Sequence, residues 1–321
     1  MTLDTIGEKT VTLFGGTGFV GRYVAQRLAH RGWRIIVASR HPDRALSLKL
    51  AGAVGQVVPV FADVRDDGSV AAAVAGADAV VNLVGILFER GKQRFDAVQN
   101  EAAGRVARAA AAAGATRFVQ ISAIGASADS PSAYARSKAA GEAAVRAAFP
   151  AAAIVRPSVI FGPEDGFFNL FAGLARNAPF LPLFGGGTSR FQPVYVQDVA
   201  DAIVACLEGE GTAGQTYELG GPRVYSFREL MALTLKETGR KKRLVSLSWG
   251  MASLQARLFS LLPNPPLTAD QVVQLKLDNV VASGAKTLAD LGIRATPAEL
   301  ILPSYLDRYR PGGKFGTSRI A

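Results

Sequence analysis

The first half of the chain alternates short apolar runs with longer amphipathic ones. The short runs are Thr10 to Phe14, Trp33 to Ala38, Gln56 to Phe61, Ala79 to Val84, Arg117 to Ser122 and Ala152 to Arg156. Their length and Val/Ile content predict strands, and Ala79 to Val84 is apolar enough to be buried on both faces. The longer runs, Gly18 to His30, Phe95 to Ala113 and Pro131 to Phe149, predict helices. Gly32 and Gly114 stop the first two, and the third is expected to start with Ser130 as N-cap and Pro131 at its first position. Repeated βα units of this kind predict an α/β fold, a doubly wound parallel sheet of the Rossmann type.

The second half is less regular. Gly- and Pro-rich loops are expected around 162–166 and 179–187, then a helix from Asp198 to Leu207, a strand from Thr216 to Leu219 and a helix from Phe227 to Thr238. Beyond Lys241 lie an apolar stretch, a Pro-rich turn at 263–266 and two or three short helices. The pattern divides the chain into a dinucleotide-binding region, residues 1–160, and a smaller α+β region, residues 161–321, partly interleaved with it. There is no internal repeat.

Composition removes several chemistries. One cysteine, Cys206, allows no intrachain disulfide and no Cys-rich metal site, and two histidines, His30 and His41, make a His-based triad or multi-His metal site improbable, so no metal is expected. The net charge of +10 suits an acidic partner, an anionic membrane surface or a phosphate-rich ligand; no recognition motif for nucleic acid accompanies it. Met1 to Thr10 carries Asp4 and Glu8 and resembles neither a signal nor a transit peptide, and no apolar run reaches the length of a membrane span. The expectation is a peripheral protein on the cytoplasmic side of a bacterial inner membrane, or in an organelle matrix.

The chemistry-bearing motifs fall at the predicted strand ends. Gly15-Gly16-Thr17-Gly18-Phe19-Val20-Gly21 joins the first strand to the first helix. Glycines spaced by three at this turn let the backbone approach a pyrophosphate, whose charge the helix N-terminus favours. The second strand ends in Ser39-Arg40 with no carboxylate, and Arg22 follows the last glycine. Two guanidiniums suit a ribose 2′-phosphate, which favours NADP(H) over NAD(H). Asp63 and Val64 after the third strand are candidates for the adenine, and Leu83, Val84 and Gly85 after the fourth let a cofactor cross the strand tip. Tyr134 and Lys138, four apart, share one helical face, where the ammonium can acidify the phenol for proton transfer. Ser122 ends the fifth strand, where its hydroxyl can meet a substrate carbonyl.

These motifs, in this order and with Arg156-Pro157-Ser158-Val159-Ile160-Phe161-Gly162, resemble the short-chain dehydrogenase/reductase superfamily in its extended or atypical branch over roughly residues 10–240. The resemblance implies that Ser122, Tyr134 and Lys138 are the catalytic set if the protein is active, and that Asn100 and Pro157 lie near the cofactor. SPSAYARSKAAGE, FQPVYVQDVADAI and NPPLTADQVVQLKLDNVV are similar to the short-chain-dehydrogenase-like accessory subunits of respiratory complex I and their bacterial relatives. That implies a tightly held NADPH, complex I peripheral-arm subunits as partners and a structural role. A free reductase, dehydrogenase or epimerase acting on a carbonyl or sugar nucleotide stays open, as does a nucleotide-sensing module.

Two features lie outside these motifs. Trp249, Met251, Leu254, Leu258, Phe259 and Leu262 form an apolar stripe just after the basic run Arg240-Lys241-Lys242-Arg243. The stripe is read either as a helix packed on the chain's own core or as contact with a membrane surface or a partner groove. The closing segment, Arg308 to Arg319, reads as a flexible basic tail.

Overall fold

The computed structural model describes residues 9–260, 262 and 265–313. The expectations for residues 1–8, for Pro263 and Asn264 of the Pro-rich turn, and for the tail from Lys314 lie outside them. The chain divides into two compact units, Met1–Pro157 with Val196–Leu219 and Ser283–Arg294, and Ser158–Tyr195 with Gly220–Ala282 and Ala295–Ala321.

The first unit is built on a seven-stranded parallel sheet. Strands β1 (Thr10–Phe14), β2 (Arg34–Ser39), β3 (Val57–Phe61), β4 (Ala79–Asn82), β5 (Arg117–Ile121) and β6 (Ala153–Pro157) are joined by Thr216–Leu219. The spatial order is Thr216–Leu219, β6, β5, β4, β1, β2, β3. Leu13 of β1 pairs with Val37 on one side and Val81 on the other. With neighbours on both edges, Val11, Leu13 and Phe14 are fully buried, as a central strand between two helix layers requires. Helix α1 (Phe19–His30) packs with the Val196–Glu208 helix, and Arg27 pairs with Asp201 across them. Helices α2 (Asp67–Val74), α3 (Ala102–Ala112) and α4 (Ala133–Ala148) form the other layer, over a core that includes Phe14, Val80, Val106, Phe118 and Ile154.

Local chemistry moves three boundaries from their expected places. Helix α4 is capped by Ser132, whose Oγ accepts from the Ala135 N–H at 3.2 Å, and not by Ser130 with Pro131 at the first helical position. Ser130 instead accepts from the Ser132 N–H in the preceding turn, and a side chain engaged there cannot cap. Strand β4 stops at Asn82 because its Oδ1 takes the Val84 N–H at 3.2 Å, while Nδ2 donates to Gln120. The helix expected over 95–113 opens with a π-helical stretch, Asp96–Glu101, before α3. A Cβ at Gly141 of α4 would lie 2.0 Å from the Gln99 carbonyl oxygen, so the two backbones touch at that widened turn.

The second unit has its own core, dominated by Phe161, Phe168, Phe171, Phe184, Phe191 and Phe227. Phe168–Asn177 is a helix, and Phe180–Phe184 is a strand parallel to Arg243–Leu247, although the flanking glycines and prolines suggest only loop. Burial decides both: Phe168, Phe171, Ala172 and Ala175 recur at helical spacing on the buried face. The LKLDNVV run is a strap across this unit. Asp278 accepts from Arg190, and Asn279 Oδ1 accepts from Ser158 Oγ at 2.6 Å and the Val159 N–H at 3.1 Å. A short helix, Ala269–Leu275, leads into the strap, and another, Ala298–Leu306, comes after it.

Candidate functional site

In the first unit the strand order reverses direction between β1 and β4, and crevices for ligands open at such a reversal beyond the carboxyl ends. The three spaced glycines do different work there. Gly15 has φ +79, and a Cβ on it would press within 3.1–3.2 Å of the Leu83–Val84 backbone. Gly21 is pinned harder, with a Cβ 2.4 Å from Gly15 O and 2.6 Å from Gly16 Cα. Gly18 is exposed, and a Cβ there would meet only Gly15 O, at 3.1 Å. Phe19 and Val20 begin α1, whose first turn carries no acidic residue, so its amides and dipole face outward unopposed by local charge. Thr17 is half-buried in the turn.

At the β2 and β3 tips the sequence-derived roles separate. Arg40 is exposed and Arg22 half-buried, and neither side chain hydrogen-bonds or ion-pairs with a described residue. Ser39 Oγ takes the His41 N–H at 3.2 Å. Asp63 is already committed. Arg65 donates to both its carboxylate oxygens, at 2.9 and 2.5 Å, and the Asp63 N–H goes to Ser69 Oγ. Those Arg65 hydrogen bonds, with a smaller effect of the Arg40 charge, hold the carboxyl down to about 2. Arg65, with no motif to mark it, therefore faces any group that approaches Asp63. Val64 beside it is half-buried.

The segment just past the tip of β4 meets α4. Gly85 is exposed, and a Cβ there would lie 3.2 Å from Lys138 Nζ. Lys138 is 6% exposed, with its Nζ 5.8 Å from the centre of the Tyr134 ring, which stacks edge-on with Phe95. Burial pushes the ammonium down from its ordinary 10.5 to about 8, and Glu142 one turn on pulls it partly back. Glu142 is itself held by Arg156 at 2.8 and 2.7 Å, and Arg156 reaches Glu218. Asn100 turns its amide to Asp96 at 2.7 Å, whereas its neighbour Gln99 is 2% exposed and donates to Ile86 O. Pro157 closes β6, its carbonyl taking the Ile124 N–H. Among the described residues, the buried side-chain polar atoms without a hydrogen-bond partner are Gln99 Oε1 and Ser122 Oγ. Leaving such an atom unsatisfied costs about 1–3 kcal/mol, so a ligand that meets them recovers that much. No sequence pattern separates Gln99 from a surface glutamine; its burial follows from the π-helical stretch.

Residues 11–220 match the model of the NAD dependent epimerase/dehydratase family. The chain is 40% identical to the mitochondrial NADH dehydrogenase (ubiquinone) 1 alpha subcomplex subunit 9 of Arabidopsis thaliana, over 98% of this chain and 82% of that protein. The chain belongs to this NAD dependent family and to the family of that subunit. A ceramide reductase of Caulobacter vibrioides is 35% identical over 77% of this chain and 75% of that protein. Among solved structures, an NADPH-dependent quinone oxidoreductase from Escherichia coli shares the fold at TM-score 0.70 and 20% identity, over 92% of this chain and 98% of that one.

The residues present fit the family's dinucleotide. Gly18 is exposed at a helix N-terminus, Arg22 and Arg40 side chains make no hydrogen bond or ion pair with a described residue, and among the described residues Ser122 and Gln99 hold unsatisfied buried atoms. Lys138 is retained despite its burial. The unfolded amine keeps its ordinary value, so between about pH 8 and 10.5 the unfolded chain binds more protons and stability rises with pH. Below that window the penalty of the buried charge is fully present, on the order of 3 kcal/mol. Lys138→Met should therefore raise the melting temperature of the nucleotide-free chain at neutral pH, with the gain vanishing above pH 10.5. Thermal unfolding across that range checks this; a lower melting temperature at pH 7 would show that the ammonium stabilises the fold.

Proposed function

We propose that this chain is an accessory subunit of a respiratory NADH:ubiquinone oxidoreductase, holding a nicotinamide dinucleotide chiefly as a structural group. What carries this reading is the 40% identity to an NADH dehydrogenase subunit across nearly the whole chain. It includes the Asp278–Val281 strap of the second unit, held there by Arg190, Val159 and Gln192. The reading makes peripheral-arm subunits the partners. It also sets the chain at the cytoplasmic side of a bacterial inner membrane or in an organelle matrix. No helix among the described residues is long and apolar enough to cross a membrane. After gentle detergent extraction and native fractionation, the chain should travel with NADH:quinone oxidoreductase activity. Migration of all of it as a free protein would overturn the reading.

In this proposal Gly15, Thr17, Gly18, Phe19, Val20 and Gly21 hold the pyrophosphate, and Arg22, Ser39 and Arg40 hold a 2′-phosphate. Asp63, Val64 and Arg65 border the adenine. Leu83, Val84 and Gly85 pass the nicotinamide half toward Asn100, Tyr134, Lys138 and Pro157. NADP(H) is preferred over NAD(H) because the β2 tip offers uncommitted guanidiniums and no carboxylate. Arg40→Ala should weaken NADPH binding by about 1–3 kcal/mol and leave NADH binding nearly unchanged. Calorimetric titration of both cofactors decides it, and equal wild-type affinities would sink the preference.

A second reading is a carbonyl reductase, favoured by the unsatisfied buried Ser122 hydroxyl, by the Tyr134/Lys138 pair and by the similarity to a ceramide reductase. The dinucleotide, when bound, supplies hydride-transfer chemistry. Ser122 would then orient the carbonyl oxygen, and Tyr134 would deliver the proton from its phenol.

A further inference from the structure

The positive charge of this protein is unevenly shared. The unit made of Ser158–Tyr195, Gly220–Ala282 and Ala295–Ala321 holds fifteen Lys and Arg against eight Asp and Glu, so seven of the ten net charges lie in the smaller unit. Within it, residues 238–269 contain no acidic residue at all, but five basic ones: Arg240, Lys241, Lys242, Arg243 and Arg257. Lys241, Arg243 and Arg257 are exposed.

The helix Trp249–Phe259 inside this stretch is turned inside out. Its inward positions are Ala252 and Ala256, both fully buried. Its outward positions are Met251, Leu254 and Leu258, which are 58%, 60% and 61% exposed, and Leu262 beyond the helix end is 49% exposed. Successive α-helical residues turn by a constant angle, so Leu254 stands opposite the two alanines, and Met251 and Leu258 share its face. A surface helix of a globular protein ordinarily buries its bulky apolar residues and shows water its polar ones. Trp249 and Phe259 are partly buried, and Trp249 lies so close to Gly185 that a Cβ there would be 2.1 Å from the indole. Val245, in the strand leading to the helix, is also exposed.

We propose that this helix lies flat on an anionic bilayer surface. Met251, Leu254, Leu258 and Leu262 reach toward the acyl chains, and Arg240 to Arg243 with Arg257 sit at the lipid phosphates. The chemistry favours lipid over protein. The patch is aliphatic, has no carboxylate in its segment and is flanked by lysine and arginine, the composition of a helix that lies on an anionic lipid surface. The inference goes beyond the subunit reading and does not depend on it.

The purified full-length chain should co-sediment with vesicles of equimolar phosphatidylcholine and phosphatidylglycerol about tenfold more strongly than with phosphatidylcholine alone, and salt should weaken the difference. Leu254→Asp with Leu258→Asp should abolish binding to both. Lys241→Glu with Lys242→Glu should remove the preference for anionic vesicles. Because all four sites are on the surface or half-buried, circular dichroism and NADPH binding should match the wild type. If the Asp pair misfolds, Leu254→Ser with Leu258→Ser serves in its place. Equal binding to the two vesicle types, no binding to either, or wild-type binding by a folded leucine variant each overturns the proposal. So does a leucine variant that leaves the oxidoreductase fraction while the wild type ignores vesicles, since the face would then dock on protein.

Discussion

Gly21→Ala should cost the protein a large share of its stability, while Gly18→Val should leave it folded and unable to hold nucleotide. The two residues sit in one loop, three apart, and sequence alone assigns them to one motif. Their surroundings differ. A single methyl at Gly21 would meet the Gly15 carbonyl oxygen at 2.4 Å and Gly16 Cα and C at 2.6 and 2.7 Å, all backbone atoms of the turn that starts α1. None of these is a flexible side-chain end, so α1 would have to move off the sheet. That disturbs Val24, Ala25 and Leu28 behind it, all fully buried. Overpacking of this kind costs about 1–3 kcal/mol and occasionally more, and a backbone-to-backbone clash belongs at the upper end. A domain with roughly 5–15 kcal/mol in hand loses a large share of it. At Gly18 a Cβ would meet only the Gly15 carbonyl oxygen, at 3.1 Å, a contact that a shift of a few tenths of an ångström relieves. The φ of −75° suits any residue, so valine strains the turn far less than a methyl at Gly21 does. It occupies only the approach to the helix N-terminus, where the pyrophosphate is proposed to lie. Urea melts and NADPH titrations of both variants separate the effects. A Gly18→Val protein that retains nucleotide would remove the glycine turn from the proposed site.

How much of this was legible in the sequence varies with the kind of interaction. β1 and the Thr216–Leu219 strand have the ends that the sequence predicts, and in β1 the buried Val11, Leu13 and Phe14 mark a central parallel strand. The glycine turn, Ser122 and the Tyr134–Lys138 face were likewise readable, since each depends on short-range spacing. What escaped depends on atoms distant in sequence. Strand β4 ends early because a side-chain amide takes a backbone N–H. The π-helical stretch appears beside Gly141, forty residues on, where the backbones touch. Asp63 reads as a free carboxylate until Arg65 is seen gripping it. The Phe168–Asn177 helix was hidden among glycines and prolines, and only the aromatic core of the second unit explains it. The LKLDNVV run, legible as a family signature, had no visible purpose until Asn279 was found bridging Ser158 and Val159.

Tyr134→Phe should separate the two functional readings by orders of magnitude. Tyr134 is the second residue of α4, one turn before Lys138, and its ring packs edge-on against Phe95 at 5.9 Å. Phenylalanine keeps that ring contact and the helix, so the fold and the Lys138 environment should survive. The phenol proton is lost. In a carbonyl reductase, Tyr134 is the group on the chain placed to supply it, and removal of a positioned general acid lowers the rate by about a hundred- to ten-thousandfold. In a structural subunit the dinucleotide stays bound, and its contribution to stability follows mass action, about 4 kcal/mol at a thousandfold excess over the dissociation constant. The expected outcome is that Tyr134→Phe retains NADPH, melts within a few degrees of the wild type and assembles into the oxidoreductase at normal levels. Arg40→Ala, by contrast, should hold NADPH more weakly and so retain less of it, melt lower and assemble less. Both variants, expressed in cells deleted for the native gene, are compared by native-gel activity, bound nucleotide and lipid and carbonyl metabolite profiles. If Tyr134→Phe cells lose a defined reduction while the oxidoreductase assembles normally, the structural reading is wrong. Ser122, Tyr134 and Lys138 are then the working centre of a reductase.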